Sequence, residues 1–291
     1  MTTTAWISAI AAIFVAYLLG SIPFGLLIGR MRGIDIRQVG SCNIGATNVM
    51  RSVGKGWGIL TLLLDALKGY IPAAAFPLLL MQAGLLDDQH AWLKIACGCA
   101  AILGHNFPVF LRFKGGKGVA TSAGVLLGIA PLALLIGLGA FAVVFATSRF
   151  VSVGSITAAI IVPLAGFWLY EGRLIPIVLT VLGLLVIWRH KANIRRLLNG
   201  TENRIVFGKK SKVEIIDRRL KTEDSTSNAQ QIPTDSQTKA QGRVTGEALF
   251  WRDGFHAVRS VVSHKPPPSP LPLTVPPPPA QGGRCARNAP G

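Results

Sequence analysis

Long apolar runs constrain the fold of this chain more than any other feature of its sequence. The first run, 5–29, contains no Lys, Arg, Asp or Glu and is long enough to cross a bilayer as a helix. No basic residue precedes it and no small-residue cleavage site ends it, so it predicts a retained span and not a signal peptide. Half of all residues are hydrophobic and the mean hydropathy is +0.47, which is typical of a polytopic membrane protein.

The later runs extend this pattern to an all-α integral membrane fold, a bundle of seven transmembrane helices. The run at 119–147 is longer than one crossing needs, and Pro131 and Gly137 predict a break between two short helices within it. A five-span arrangement without this helix pair is the alternative. The remaining runs each predict one span, at 57–81, 91–111, 151–170 and 174–188.

The distribution of charge predicts the orientation of this bundle. Residues 1–212 contain twenty lysines and arginines against six acidic residues, and most of the basic ones lie in alternate loops. The positive-inside rule then places the N-terminus outside and the C-terminus inside. Since the basic residues flank apolar spans and do not line a soluble face, the sequence predicts contact with the lipid bilayer and no nucleic-acid partner.

The composition changes after about residue 212. Residues 213–291 are rich in Ser, Thr and Gln and then in Pro, with eleven of the eighteen prolines of the chain. Such a segment cannot bury a core and favours extended conformations. The sequence therefore predicts a membrane domain over 1–212 and a disordered cytoplasmic tail over 213–291.

A polar stretch at 40–51, GSCNIGATNVMR, has the composition of an anion-binding loop. Gly40 and Gly45 can adopt positive φ, so that successive N–H groups converge on one point. Arg51 supplies a planar fork that fits two phosphate oxygens. An ordinary polar turn that caps the next helix is the alternative. The candidate phosphate-binding residues of this loop are Ser41, Asn43, Gly45, Ala46, Thr47 and Asn48.

A second glycine-rich stretch, FKGGKGVATS at 113–122, directly precedes an apolar helix. The start of a helix offers free N–H groups and the positive end of the helix dipole, and Lys117 adds a mobile ammonium group. The spacing is not that of a Walker A loop. A flexible turn at the membrane surface is the alternative to an anion site formed by Gly115, Gly116, Lys117 and Gly118.

A third basic stretch, RHKANIRR at 189–196, follows the last apolar run. Asn193 lies three residues after His190, so both side chains can point to one site on a helix. A hydrogen-bonded structural histidine is the common alternative. No histidine is followed by Asp five positions later, so a His–Asp pair of that spacing is absent from the sequence.

Three ionisable residues within the apolar runs are candidates for supporting roles. Asp65 and Lys68 lie one helical turn apart, with Asp65 about 12 Å into the second run at the helical rise per residue. Ionisable groups at this depth are usually paired and face a protein interior. The sequence leaves open whether this pair is functional or a structural ion pair. His105 lies at the inner end of the third run.

Taken together, the three motifs resemble those of a known family. GSCNIGATNVMR, GHNFPVFLRFKGGKGVATS and RHKANIRRLLNGTEN are similar to the signature regions of the bacterial acyl-phosphate:glycerol-3-phosphate acyltransferases. The resemblance extends over about 5–210 and includes DALKG at 65–69. The first motif of the family usually reads S-G-N-P-G-A-T-N, whereas this chain has Cys42 in place of the first Gly and Ile44 in place of the Pro.

The resemblance implies a multi-pass enzyme of the bacterial inner membrane that begins phospholipid biosynthesis. Such an enzyme transfers a fatty acyl group from acyl phosphate to the 1-hydroxyl of sn-glycerol 3-phosphate, giving lysophosphatidic acid and phosphate. No cofactor and no metal are implied, and the active site faces the cytoplasm. The catalytic candidates are Ser41, Arg51, Lys117, His190 and Asn193.

In this scheme the protein holds two anions together and stabilises charge at the carbonyl and the leaving phosphate. The proton acceptor stays open between His190 and a phosphate oxygen of the acyl phosphate itself. A transporter of a phosphate-bearing solute is the rival interpretation. The chain shows no internal repeat of the kind that transporters often carry, which disfavours that rival.

Overall fold

The computed structural model describes residues 2–85 and 92–205, and every regular element in these two ranges is helical. The acidic link with Asp87 and Asp88 and the tail predicted for 213–291 lie outside the described residues. The described α-helices are α1 (Thr3–Ser21), α2 (Phe24–Met31), α3 (Ala46–Ser52), α4 (Lys55–Tyr70), α5 (Phe76–Gln82), α6 (Trp92–Asn106), α7 (Val119–Ile129), α8 (Pro131–Ser148), α9 (Val151–Leu169), α10 (Leu174–Arg189) and α11 (Lys191–Leu198).

Five helical stretches among the described residues are long and apolar enough to cross a membrane. A sixth results if α10 and α11, which are bent by 54° at His190, count as one broken span. Helix α7 has eleven residues, or about 16 Å at the helical rise, and is too short to cross alone. The all-helical membrane fold is therefore confirmed, while the number seven and the orientation stay predictions. The five stretches are Thr3–Met31, Lys55–Gln82, Trp92–Leu111, Pro131–Ser148 and Val151–Leu169.

The predicted break in the long apolar run lies between α7 and α8. Ala130, the residue before Pro131, has φ −150° and ψ 59°, because a proline disfavours the helical conformation of the residue that precedes it. Gly137 lies inside α8 and does not interrupt the helix, so that part of the prediction was wrong.

Glycines allow the closest helix pairs to approach each other. In the pair of α1 and α6, a Cβ atom on Gly20 would overlap the backbone of Ala101. In the pair of α4 and α7, a Cβ atom on Gly124 would overlap the carbonyl group of Ala66. Small residues serve the same purpose in membrane bundles generally, since apolar burial does not drive helices together in lipid.

The first span bends at Pro23, between α1 and α2, and a buried lysine fastens this bend to α4. The ammonium group of Lys68 donates to the carbonyl oxygen of Ile22 at 2.7 Å and lies 2.9 Å from Oδ1 of Asp65. Both side chains of the ion pair are almost fully buried. Backbone carbonyls at a helix break are costly to leave unpaired in a membrane, so the pair stabilises the bend.

After α11, residues 199–205 return along the same end of the bundle, and we call this segment the strap. The amide of Ile205 donates to the carbonyl oxygen of Arg149 at 3.0 Å, in the turn between α8 and α9. Arg51 donates to the carbonyl oxygen of Asn203 at 3.0 Å, which connects the strap to α3. The strap thereby brings the first and third sequence motifs together.

The orientation predicted from charge can be tested by thiol labelling. Glu171, between α9 and α10, and Lys55, at the start of α4, are both exposed. In a chain whose native cysteines are replaced by alanine, we expect a cysteine at position 171 to react with a membrane-impermeant reagent in intact cells. A cysteine at position 55 should react only after permeabilisation. The reverse pattern would contradict the N-out orientation.

Candidate active site

The first motif forms a loop that is organised by the side chain of Asn48. This residue is only 1% exposed. Its amide nitrogen donates to the carbonyl oxygens of Ile36 (2.7 Å), Asn43 (2.9 Å) and Val39 (3.2 Å), and its Oδ1 accepts from the amide of Ser41 at 2.8 Å. Asn48 was predicted to donate to phosphate, but its hydrogen bonds are already used within the loop. We correct its assignment to holding the loop that presents Ser41 and Asn43.

Backbone dihedral angles explain part of the glycine pattern of this loop. Gly40 has φ +62°, as predicted, but Gly45 has φ −81°, so the prediction of positive φ at Gly45 was wrong. Gly45 instead precedes α3, whose first turn contains Ala46 and Thr47. Cys42 also has positive φ, +59°. This is the position at which the resembling family has glycine, and a side chain there is strained.

The second motif forms a turn packed onto His105. The amide of Gly116 donates to the carbonyl oxygen of His105 at 3.1 Å, and a Cβ atom on Gly116 would overlap the imidazole ring. A Cβ atom on Gly115 would overlap the His105 carbonyl oxygen. Gly118 has φ +77°, and α7 begins directly after it. The glycines are therefore required by close approach and backbone angle, and the predicted helix N-terminus is present.

Arg189 fixes the position of this turn through hydrogen bonds, a role that the sequence did not indicate. Its guanidinium group donates to the carbonyl oxygens of Gly115 (2.8 Å) and Gly116 (2.6 and 2.9 Å). It also lies over the rings of Phe107 and Trp188, at 5.4 and 5.7 Å from their centroids. Because the carbonyl oxygens of Gly115 and Gly116 accept hydrogen bonds from Arg189, they face this cation and do not repel an anion that approaches the turn.

The third motif is connected to α9 and to the strap through Glu202. Its Oε1 accepts from Nδ2 of Asn193 at 2.6 Å and from Oγ of Ser152 at 2.9 Å, and its Oε2 accepts from Nε of Arg196 at 2.7 Å. The side chain of Glu202 is 7% exposed. Burial raises its pKa, but these three hydrogen bonds hold the pKa below its usual range, so the carboxylate is ionised.

His190 lies at the bend between α10 and α11, and its side chain is buried. Its Nδ1 lies 2.8 Å from the carbonyl oxygen of Val186, a contact in which the ring nitrogen must donate. The neutral tautomer with hydrogen on Nδ1 leaves Nε2 as an acceptor. The Nε2 atom of His190 can therefore accept a hydrogen bond. Burial and the charge of Lys117 lower the pKa of His190 to about 4, so the ring is a weak proton acceptor near neutral pH.

Several cations lie within electrostatic range of Lys117. Burial lowers the pKa of Lys117 to about 8, because desolvation disfavours the ammonium form. The carboxylate of Glu202 opposes this shift, whereas the guanidinium groups of Arg196, Arg51 and Arg189 add to it. Burial likewise lowers the pKa of Arg51, and Glu202 again opposes the shift. The structure thus brings the cations of all three motifs around one carboxylate.

The three supporting candidates form a chain of contacts that begins at Gly116. The ring of His105 packs against Gly116, and its Nδ1 lies 3.8 Å from Oδ1 of Asp65. Asp65 in turn contacts Lys68, which binds the bend of the first span. These contacts favour the interpretation of Asp65 and Lys68 as a structural ion pair.

An apolar cavity of about 90 Å³ lies between α7, α8, α9 and α10. Val119, two residues after Lys117, lies at its upper end together with Val186, one helical turn before His190. Its deeper walls are Leu126, Leu134, Val162 and Leu179, which belong to one buried hydrophobic cluster.

The predicted site residues did not include four residues of this arrangement: Ser152, Arg189, Arg196 and Glu202. Glu202 lies within the third motif, and an acidic residue among so many basic ones could have indicated an ion pair at the site. Ser152 is a serine near the start of an apolar run, and nothing in the sequence indicates that it meets a residue fifty positions later.

Comparisons with known proteins agree with the motif resemblance. A family model described as glycerol-3-phosphate acyltransferase matches residues 10–200. The glycerol-3-phosphate acyltransferase of Trichlorobacter lovleyi is 49% identical over 189 residues, which cover 65% of this chain and 93% of the relative. The crystal structure of PlsY (YgiH), an integral membrane glycerol 3-phosphate acyltransferase in its glycerol 3-phosphate form, is 42% identical, with a TM-score of 0.62 over 72% of this chain and 98% of that one. Its lysophosphatidic acid form gives a TM-score of 0.60 over 68% and 96% of the two chains.

The left-handed conformation of Cys42 generates a prediction about stability. Cys42→Gly removes a strain of about 1 kcal/mol, whereas Cys42→Ala removes the sulfur atom but keeps the Cβ atom and the strain. We expect the glycine variant to unfold about 2–4 °C above the alanine variant in the same detergent. Equal Tm values for the two variants would show that the backbone at this position is not strained.

Proposed function

The chain belongs to the glycerol-3-phosphate acyltransferase family, and from this premise we propose that its acyl donor is acyl phosphate and that its site faces the cytoplasm. The chain transfers a fatty acyl group to glycerol 3-phosphate and gives lysophosphatidic acid. It is thus a membrane O-acyltransferase of phospholipid biosynthesis. The donor, the bacterial inner membrane and the orientation form the proposal.

One observation carries the choice of donor: the cations of three motifs surround a single carboxylate next to an apolar cavity. Among the described residues, Glu202 balances only one of the positive charges near Lys117, which leaves an excess of positive charge in this part of the site. Two substrates that each bear a phosphate group would supply the missing negative charge. The cavity that begins at Val119, two residues after Lys117, has an apolar lining that suits a fatty acyl chain. At about 90 Å³ it accommodates a whole chain only if the helices that line it separate.

Binding of the two phosphates is divided between the motifs. Lys117 and the backbone donors of the first loop, from Asn43 to Thr47, hold the leaving phosphate of the donor, because the amides of Ser41 and Cys42 already donate within the loop. Arg51, with its planar fork, holds the phosphate of glycerol 3-phosphate together with Lys117. Both arginine and lysine contacts strengthen in a half-buried site, where water screens charge less than in bulk solvent.

Asn193 and His190 contact the glycerol part in this scheme. Nδ2 of Asn193 is held by Glu202, which leaves the buried Oδ1 without a partner among the described residues. An amide oxygen accepts hydrogen bonds and repels phosphate oxygens, so it fits a glycerol hydroxyl group. Asn193 was predicted as a catalytic residue, and we now propose that it positions the attacking alcohol.

The transfer itself needs no covalent step on the protein. The 1-hydroxyl oxygen attacks the acyl carbonyl carbon, the bond between that carbon and the phosphate oxygen breaks, and phosphate leaves with the electron pair. The hydroxyl proton passes to a phosphate oxygen or to Nε2 of His190. Lys117 and the loop N–H groups stabilise the charge that develops on the leaving phosphate.

Transport of a phosphate-bearing solute is the weaker candidate. The charged motifs meet at one end of the described bundle, through the contacts of Arg51, Arg189 and Glu202. A transporter would instead need a site reachable from both sides of the membrane.

The donor is tested with purified full-length protein and three substrates in parallel: palmitoyl phosphate, palmitoyl-CoA and the palmitoyl thioester of acyl carrier protein. Labelled glycerol 3-phosphate is the acceptor. We expect lysophosphatidic acid from palmitoyl phosphate alone, since only in this donor is the phosphate bonded directly to the acyl carbonyl, where the cationic site is proposed to hold it as the leaving group. Product from either thioester at a comparable rate would contradict the proposed donor.

Lys117 and Lys114 form a matched pair for testing the site, because Lys114 is exposed on the same turn. Lys117→Ala should reduce kcat/KM at least tenfold, as losing a charge-assisted contact costs about 1.5–3 kcal/mol. Lys114→Ala should stay near wild type. Since only the ammonium form binds phosphate, wild-type kcat/KM should fall as pH rises through about 8. In Lys117→Arg the fall in kcat/KM should move to a pH above the range in which the enzyme can be assayed, because arginine stays protonated there. Equal losses at positions 114 and 117 would indicate general surface electrostatics instead.

A further inference from the structure

A second cationic pocket lies at the turn between α8 and α9, outside the cluster around Lys117. Its lining residues are Thr147, Arg149, Arg204 and Ile205, and its volume is about 370 Å³. This volume falls within the range of ordinary ligand pockets. Two of the four described residues that line it are arginines.

No acidic side chain among the described residues neutralises either arginine. Arg149 is exposed, and its guanidinium group forms no hydrogen bond or ion pair within the described ranges. The guanidinium group of Arg204 lies 5.1 Å from the centroid of the Phe150 ring and donates at 3.4 Å to the carbonyl oxygen of Ser148. The nearby Glu202 is already bound by Arg196, Asn193 and Ser152. Among the described residues, the two positive charges of the pocket are therefore uncompensated.

The backbone at Arg149 adds a second observation. This residue has φ +62°, a conformation in which glycine or asparagine usually ends a helix. An arginine there is strained, and strained residues are concentrated at sites with a binding or switching role. The conformation is fixed from outside the turn, because the carbonyl oxygen of Arg149 accepts a hydrogen bond from the amide of Ile205.

The pocket lies at the level where lipid head groups are found. Helix α8 ends at Ser148 and α9 begins at Val151, and each is a candidate membrane span. A turn between two spans emerges at the membrane surface, where the phosphates of anionic lipids attract arginine. We propose that Arg149 and Arg204 bind the phosphate group of an anionic membrane lipid. Guanidinium forks fit phosphate oxygens, and the pocket offers two of them.

This lipid site is coupled to the acyltransfer site through the strap. A phosphate held by both arginines fastens the strap to the α8–α9 turn, because Arg204 belongs to the strap and Arg149 to the turn. Two residues before Arg204, Glu202 holds Asn193 and Ser152. An anionic lipid thereby stabilises the segment that positions the residues of the site.

The test measures binding and not acyl transfer, so it is independent of the proposed donor. Purified full-length protein in neutral detergent, with saturating glycerol 3-phosphate, is titrated with short-chain phosphatidylglycerol. Thermal unfolding reports binding, since a ligand of the folded state raises Tm. Parallel titrations use short-chain phosphatidylcholine and inorganic phosphate.

We expect phosphatidylglycerol to bind wild type, and each of Arg149→Gln and Arg204→Gln to weaken its apparent Kd about fivefold. The double variant should bind about 25-fold more weakly. Arg195→Gln, which removes an exposed arginine on α11 outside the pocket, should bind within twofold of wild type. If the double variant does not fold, Arg149→Gln alone decides the question, because the Arg149 side chain forms no hydrogen bond or ion pair within the described ranges.

Two results would overturn the proposal. Equal affinity of wild type and Arg149→Gln for phosphatidylglycerol would show that the pocket does not bind lipid phosphate. An equal Tm increase with inorganic phosphate at the same concentration, lost in Arg149→Gln, would assign the pocket to free phosphate and refute a lipid ligand. An increase that Arg149→Gln retains belongs to the acyltransfer site and is subtracted. A Tm increase with phosphatidylglycerol that phosphatidylcholine does not reproduce supports it.

Discussion

The carboxylate of Glu202 is the interaction on which the arrangement of the site depends. It accepts hydrogen bonds from Asn193, Ser152 and Arg196, and so joins the strap to α11 and α9. The same charge raises the pKa of Lys117 against burial and neighbouring guanidinium groups. Without a negative charge in this position, the cations would repel one another and lose the geometry on which the proposed binding of two phosphates depends. Among the described residues, the single carboxylate of Glu202 orders the neighbouring cations but does not neutralise their combined charge.

A second constraint is that polar loops next to a membrane must satisfy their own backbone groups. Three buried or half-buried side chains do this work. Asn48 binds the carbonyl oxygens of the first loop, Arg189 binds those of the second, and Lys68 binds that of Ile22 at the bend of the first span. In each case the side-chain donor bonds to a backbone carbonyl group of the protein and is not available to substrate. This explains why some polar residues of the motifs hold the loops and only the remainder is available to substrate.

The fold and much of the site could be predicted from the sequence, because both depend on local patterns. Apolar runs indicated the helices, and the glycines before Val119 indicated the start of α7. The sequence could not show that Asn48 faces the loop interior, since an asparagine in a phosphate loop and one that holds such a loop look alike. Gly45 was misjudged because glycine also occurs at ordinary φ before a helix. Ser152 and Arg189 were missed because their roles arise from contacts across fifty and more residues.

The most direct test of this account is the pH profile of the Glu202→Gln variant. The amide preserves size and can still accept a hydrogen bond, but it removes the charge that holds the Lys117 ammonium. We predict normal membrane insertion, a loss of at least tenfold in kcat/KM near neutral pH, and a fall in activity that begins at lower pH than the value of about 8 for Lys117. An unchanged pH profile with kcat/KM within twofold of wild type would contradict the central role of Glu202.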